Sequence, residues 1–388
     1  MDFRLTAQQE DIRSAVRVLA GRFDDNYWRV RDDAGQFPWE FYNAFAQAGW
    51  LGIAVPEAFG GGGLGITEAA LVLQEIAASG AGLNGCSALH LTIFGINVVV
   101  KHGSHEQRSR ILPGVATGDL HACFAVTEPN AGTDTTRITT SARREGDHYV
   151  VNGQKTWTTK AGDSQMMLLL ARTTRREDVR MPTDGMSLFF TELDRNAVDI
   201  RPIPKMGRNA VASNEMFIDN LRVPRTDLIG EEGQGFRYLL DGINPERILF
   251  AYEGVGLGRA ALRRAVGYAN ERIVFDRPIG QNQAIQFPLA EALARLDAAE
   301  LVAAQAAWRY DRGLPCGREA NTAKWLSAEA ALFAADRAFQ THGGLGYARE
   351  YHVERYFREA RLLQIAPVSQ EMVLSYLGHK VLGLPKSY

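Results

Sequence analysis

Cysteine is scarce: Cys86, Cys123 and Cys316 are the only three in 388 residues. They are odd in number, far apart and without zinc or redox spacing. That excludes a disulfide framework and predicts reduced, buried thiols in a cytoplasmic protein. An excess of either charge is also missing. The net charge of −2 excludes a general nucleic-acid or membrane-surface binder. No uninterrupted apolar run approaches the roughly 20 residues a membrane span needs. The opening "MDFRLTAQQEDIRSAVRVLA" is amphipathic with an acidic side, so it reads as neither signal nor transit peptide. What is present is ordinary for a globular protein: 46% hydrophobic and 23% charged residues, on a chain long enough for two or three domains.

Three textures follow one another. Residues 1–120 read as helices, with Thr6 as an N-cap and Glu10 placed to complete reciprocal capping. The tract "PEAFGGGGLG" (56–65) has no strand before it and no Gly-Lys-Ser/Thr after it, so it is a flexible loop between helices rather than a phosphate cradle. Residues 121–232 form a β domain. In "GDHYVVNGQKTWTT" (146–159), Asn152-Gly153 predicts a hairpin turn. "QMMLLLAR", "MSLFFTEL" and "NEMFIDNLRVP" read as further strands. Residues 233–388 return to helical periodicity. Leu289, Leu293, Leu296, Ala299, Ala303, Ala306 and Tyr310 share one face, and the small alanines suit close packing in a bundle. "INPERILF" predicts a helix start with Asn244 as N-cap and Pro245 in the first turn.

Three segments carry the chemistry: "FAVTEPNAGTD" (124–134), "NGQKTWTTKAG" (152–162) and "QTHGGLGYAREYHVERYFREAR" (340–361). Together they resemble the acyl-CoA dehydrogenase family, whose versions read roughly TEPxAGSD, NGxKxWIT and QxxGGxG. "KMGR" (205–208), "VPRTDLIGEEGQGF" (223–236) and "RIVFDRPIGQNQAIQFPLAE" (272–291) extend the resemblance over nearly the whole chain, in family order. It implies an α+β fold with an N-terminal helical domain, a middle β-barrel-like domain and a C-terminal four-helix bundle. It also implies bound FAD and no metal.

By resemblance, main-chain and hydroxyl groups across 124–133, including Phe124, Val126, Thr127, Gly132 and Thr133, hold the flavin ring and pyrophosphate. Trp157 packs against the flavin beside Thr158, and Thr159 bonds N5. Arg272, Phe275, Gln283, Gln340, Gly343 and Gly344 match positions that grip the adenine-diphosphate half of the FAD in a neighbouring subunit. That implies a homo-oligomer, usually a dimer of dimers. Asp276 departs from the family, which usually has glycine there.

The reaction needs a carboxylate to take a proton from Cα of an acyl thioester while hydride leaves Cβ. In most members that carboxylate is a glutamate following the QxxGG motif. In ungapped register from Gln340, "QIAPVSQE" puts Pro367 in its place. Ser369 then replaces a threonine, and Glu371 matches a flavin-contacting Gln or Glu. Proline is no base and lacks the backbone N–H that would polarise the thioester carbonyl. Other branches carry the base just before a family arginine, which here is Arg247, so Glu246 is the expected base. The interval from Arg247 to Arg272 matches the family's. Asn244, Arg247, Thr133 and Ala366 are the expected substrate contacts, with Arg247 fixing the surroundings of the base. Glu253, one helix face along, is a candidate partner for Glu246 or Arg247. His90 and His342 read as packed or hydrogen-bonded histidines.

The implied activity is dehydrogenation of an acyl-CoA or acyl-carrier-protein thioester, with electrons passed to an electron-transfer flavoprotein. Two alternatives stay open: an FAD-binding subunit lacking a complete site of its own, and a flavin oxidase or monooxygenase on the same fold.

Overall fold

The computed structural model describes residues 4–93 and 95–387. Helices α1 (Ala7–Ala20), α2 (Asp25–Ala34), α3 (Trp39–Gln47), α4 (Ile66–Ile76), α5 (Gly82–Ile93), α6 (Asn97–His102) and α7 (His105–Thr117) come first. Thr6 does cap α1, but its reciprocal partner is Gln9. Gln9 N–H donates to Thr6 Oγ1 at 3.2 Å, and Gln9 Oε1 accepts from Thr6 N–H at 3.0 Å. The third helical residue, not the fourth, can reach back. The glycine tract lies between helices as expected, yet it is tied down. Gly62 and Gly63 donate to the carbonyls of Gly52 and Val55, each at 2.9 Å.

The run Ile66–His102 amends one expectation. By length and composition it could cross a membrane, with a mean hydropathy of 1.5 over its most apolar window, but 82% of that window is buried inside the molecule. It is apolar on most sides because it runs through the core. A kink divides it, with Gly80 at φ +108° and Gly82 at φ +58°, conformations open to glycine at little cost.

The strands are β1 (Ala122–Ala125), β2 (Ser141–Glu145), β3 (His148–Thr159), β4 (Met166–Arg172), β5 (Met186–Glu192), β6 (Val198–Pro202) and β7 (Ser213–Pro224). They pair in the order β1-β4-β2-β3-β7-β6, with β5 on β4. The hairpin turn is not at Asn152-Gly153. β2 and β3 are joined through Gly146-Asp147, with Glu145 opposite His148, and β3 runs straight on through Asn152. A register shift against β7 falls between Val151 and Gly153. A Cβ on Gly153 would come within 2.4 Å of Thr140 Oγ1, so this glycine serves a bulge pressed against a neighbouring chain segment.

The last third holds α8 (Gly235–Asp241), α9 (Ile243–Glu271), the short hairpin β8 (Ile273–Val274) and β9 (Arg277–Pro278), then α10 (Gln283–Asp311), α11 (Gly317–His342), α12 (Val353–Leu362) and α13 (Gln370–Tyr376). The long helices α9, α10 and α11 pack through buried alanines, among them Ala299, Ala303, Ala331 and Ala335, whose small side chains permit close approach. Leu293, expected on that buried face, is 45% exposed. Asn244 is not a cap: α9 starts at Ile243 with Gly242 before it, and Asn244 lies inside the first turn. All three cysteines are buried and free.

Candidate active site

The motif loop after β1 is locked to β3 by charge. Lys155 Nζ donates to Glu128 Oε1 at 2.9 Å and to the Val126 carbonyl at 3.0 Å, and both side chains are buried. Glu128 also accepts from Thr139 N–H at 2.7 Å and Thr140 N–H at 2.9 Å. Burial disfavours its charge, yet Lys155 and these donors outweigh burial and hold the carboxyl at about 2. Thr127 is fixed through its carbonyl, which accepts from Thr156 N–H at 2.9 Å. Phe124 and Val126 are half-buried against the cluster under β4 and β5.

Beside this loop, β3 breaks register with β7 between Lys155 and Thr158. Trp157 sits there at φ +59° with its indole 56% exposed. A bulky residue in the left-handed region is costly, and the effect here is to present an aromatic face outward. Thr158 Oγ1 is buried without a hydrogen-bond partner among the described residues. Gly132 and Thr133 are exposed, and a Cβ on Gly132 would touch nothing. An outward indole, an orphaned hydroxyl and open backbone suit a flat ring system with hydrogen-bonding edges. Thr159 pairs with Ser213 on β7. Beyond it, buried Lys160 reaches α5, donating to Thr92 Oγ1 at 3.0 Å.

Arg272, Phe275, Gln283, Gln340, Gly343 and Gly344 form a separate, exposed group at one end of the bundle, where Tyr268 of α9 stacks on His342 of α11 at 4.3 Å. Phe275 and Asp276 are the two loop residues of the β8–β9 hairpin, at φ +51° and +61°. That is the paired left-handed geometry of a type I′ turn, which explains Asp276: aspartate tolerates this region better than most residues lacking glycine's freedom. Phe275 does not, and its ring is 93% exposed.

The expected base stands in a cluster the sequence did not show. Glu246 and Glu253 lie two turns apart on α9, and His90 of α5 bridges them. His90 Nε2 is 2.8 Å from Glu246 Oε2, and Nδ1 is 2.6 Å from Glu253 Oε1. The Glu253 side chain is 2% exposed, whereas Glu246 keeps 25%. Among the described residues only His90 is hydrogen-bonded to the Glu246 carboxylate. Burial opposes charging His90, but the two carboxylates prevail and raise it to about 10. Phe250 meets the ring edge-on at 5.2 Å. α12 anchors the kink that aims α5: Arg355 donates to the Gly80 carbonyl at 2.6 Å, and Glu359 accepts from Leu83 N–H at 2.5 Å.

Arg247 does not hold Glu246. Its Nη1 donates to Asn244 Oδ1 at 3.1 Å, and its Nε is buried without a partner among the described residues. Lys324 of α11 is likewise buried, with Nζ unpartnered among the described residues. Burial and then Arg247 pull Lys324 down to about 8, with Glu371 opposing. Pro367 and Ala366 are half-buried in the turn between α12 and α13. Ser369 caps α13, accepting from Met372 N–H at 3.4 Å, and Glu371 in the first turn is exposed. Glu128–Lys155 and Lys160–Thr92 were also missed in sequence. Their only signal is the charged residue inside each motif, which an exposed reading explains equally well.

Known proteins share this fold. Family models for the N-terminal, middle and C-terminal domains of acyl-CoA dehydrogenase match residues 6–119, 123–221 and 233–382. The chain is 36% identical over 387 residues to acyl-CoA dehydrogenase fadE12 of Mycobacterium bovis, covering 98% of this chain and 97% of that protein. The structure of butyryl-CoA dehydrogenase from Megasphaera elsdenii matches with a TM-score of 0.93 at 28% identity, over 98% of this chain and 100% of that one. An FAD complex of PigA matches with a TM-score of 0.93 at 25% identity, over 99% and 100%. The chain belongs to the acyl-CoA dehydrogenase family, and it is an FAD-dependent oxidoreductase.

Proposed function

We propose that this enzyme removes hydrogen across the Cα–Cβ bond of an acyl-CoA thioester, with Glu246 as the base, and hands the electrons to an electron-transfer flavoprotein. One observation carries the assignment of the base. Of Glu246, Glu253 and Glu371, Glu246 alone combines a side chain held by a buried partner with partial exposure. Pro367 cannot accept a proton, Glu253 is sealed behind His90, and Glu371 lies exposed on α13. With Oε2 engaged by His90, the other oxygen of Glu246 is left to meet the substrate.

In this reading Phe124, Val126, Thr127, Gly132, Thr133, Trp157, Thr158, Thr159, Ser369 and Glu371 hold FAD in one copy of the chain. Arg272, Phe275, Gln283, Gln340, Gly343 and Gly344 hold it from a second copy, within a homotetramer. Bound FAD supplies the acceptor for the hydride leaving Cβ. Glu246 takes the Cα proton. Thr133, Asn244 and Ala366 line the substrate, and Arg247 with Lys324 places positive charge near the thioester. Supporting this reading are the outward Trp157, the orphaned Thr158 hydroxyl and the strained, solvent-facing Phe275.

The test is anaerobic bleaching of the purified flavoprotein by a panel of straight and branched acyl-CoAs, followed by reoxidation with an electron-transfer flavoprotein or with air. Bleaching by at least one thioester, with reoxidation faster by the flavoprotein than by air, is expected. A bound flavin that no thioester bleaches contradicts an autonomous dehydrogenase, and reoxidation as fast in air indicates an oxidase.

A further inference from the structure

We propose that His90 and Glu253 are positioning residues for the base: Glu253 holds His90 as an imidazolium, and the imidazolium keeps Glu246 ionised and aimed. This deepens the reading of Glu246 as base and rests on it.

The geometry suits a charged ring wherever both carboxylates are ionised. A neutral imidazole has one N–H and one bare lone pair, whereas an ionised carboxylate only accepts. His90 touches a carboxylate oxygen through both ring nitrogens, at 2.6 and 2.8 Å. With both carboxylates ionised, a neutral ring would set one lone pair against another inside a buried site. An imidazolium satisfies both contacts with two charge-assisted bonds. These three side chains are not placed to hold a metal ion. The raised affinity of His90 for its second proton agrees with this.

Groups on neighbouring elements complete the electrostatics. Arg208, from the segment between β6 and β7, donates to Ser87 Oγ at 3.1 Å and faces both Glu253 and Glu359. Buried Cys86 on α5 faces the same two carboxylates, which together with burial keep it a thiol. On the far side of α5, Lys160 binds Thr92. Glu253 thus has cations on two sides, His90 and Arg208, which accounts for a carboxylate so deep in the core.

The consequence falls on Glu246. An acyl group that excludes water would drive a lone carboxylate toward its protonated, useless form. An imidazolium at 2.8 Å opposes that drift and occupies Oε2, so the α proton arrives at the remaining oxygen. After transfer, Glu246 is neutral and His90–Glu253 remains a balanced pair.

The experiment uses the FAD-loaded full-length protein with ¹⁵N-labelled histidine, the His90 signal being identified by its loss in His90→Gln. In wild type His90 keeps both N–H protons beyond pH 8. In Glu253→Gln it titrates below pH 8. In parallel, flavin reduction by butyryl-CoA and isobutyryl-CoA is followed against pH. The acidic limb should move up by about one pH unit or more in His90→Gln, which removes the cation beside Glu246. In Glu253→Gln the readout is the lowered His90 titration, which Glu253→Asp should largely restore. Melting temperatures separate this shift from a general loss of fold. A neutral His90 at pH 7 in wild type overturns the proposal, as does an unmoved nitrogen titration in Glu253→Gln or an unmoved acidic limb in His90→Gln. If neither thioester bleaches the flavin, the nitrogen titration alone decides. Full-rate bleaching by Glu246→Gln would instead overturn the base assignment, a failure that the His90 titration reads separately.

Discussion

Lys155 and Glu128 show how single side chains prepare a site they do not directly serve. Each belongs to a separate motif, and their buried contact joins the loop after β1 to the strand that carries Trp157. Replacing Lys155 by Met would leave Glu128 buried and unpaired, and should cost about 3–5 kcal/mol in unfolding free energy. The pH dependence has a definite sign. The Glu128 carboxyl is lowered from 4.5 to about 2 in the fold. Its contribution is therefore complete above about pH 4.5 and lost as pH falls toward 2. Thermal melts across that range should show this acid-side loss in wild type and a flatter response in Lys155→Met. If both proteins give parallel curves, the pair does not govern the loop. At this scale the sequence singles out residues where motif and residue type coincide, as at Trp157 and Glu246. It marks His90 as packed or hydrogen-bonded but gives no partner, because a partner 156 positions away leaves no trace in local spacing.

Elements were legible wherever periodicity ran long. The strands at 166–172, 186–192 and 213–224 and, Leu293 apart, the alanine-rich face of α10 fell where their patterns put them. The misplaced turn has a physical cause. Asn-Gly favours a hairpin locally, but β3 must continue past it to pair with β7 and deliver Trp157. The same glycine therefore became a bulge, and the chain turned at Gly146-Asp147. Gly153→Val should lower the melting temperature and weaken FAD retention, since even a Cβ meets Thr140 at 2.4 Å. An unaltered melt and full flavin content would show that the bulge relaxes freely. The α12–α13 turn offers a sharper test. If the base has moved to α9, Pro367→Glu in a Glu246→Gln background should recover at least about tenfold of the lost flavin reduction. No recovery, with flavin content intact, would mean that the turn no longer faces the substrate.

As a whole, the molecule sets an exposed aromatic on an inner sheet strand and an exposed bundle end on one chain, and the proposed function gives each one half of a long cofactor. The left-handed turn that displays Phe275 is easiest to understand if a second copy covers it. Phe275→Asp should loosen FAD and shift sedimentation toward smaller species, while unchanged mass and flavin content would detach this turn from assembly. The order of helices, sheet and bundle was readable from the chain's changing texture, but which faces meet depends on long-range packing.

The central claim is that Glu246 does what Pro367 cannot. Its most direct test is stopped-flow flavin reduction by the best acyl-CoA, comparing wild type with FAD-replete Glu246→Gln. The account predicts bound flavin in both and a loss of at least about 10²-fold in the variant; a variant that reduces its flavin at the wild-type rate would contradict it.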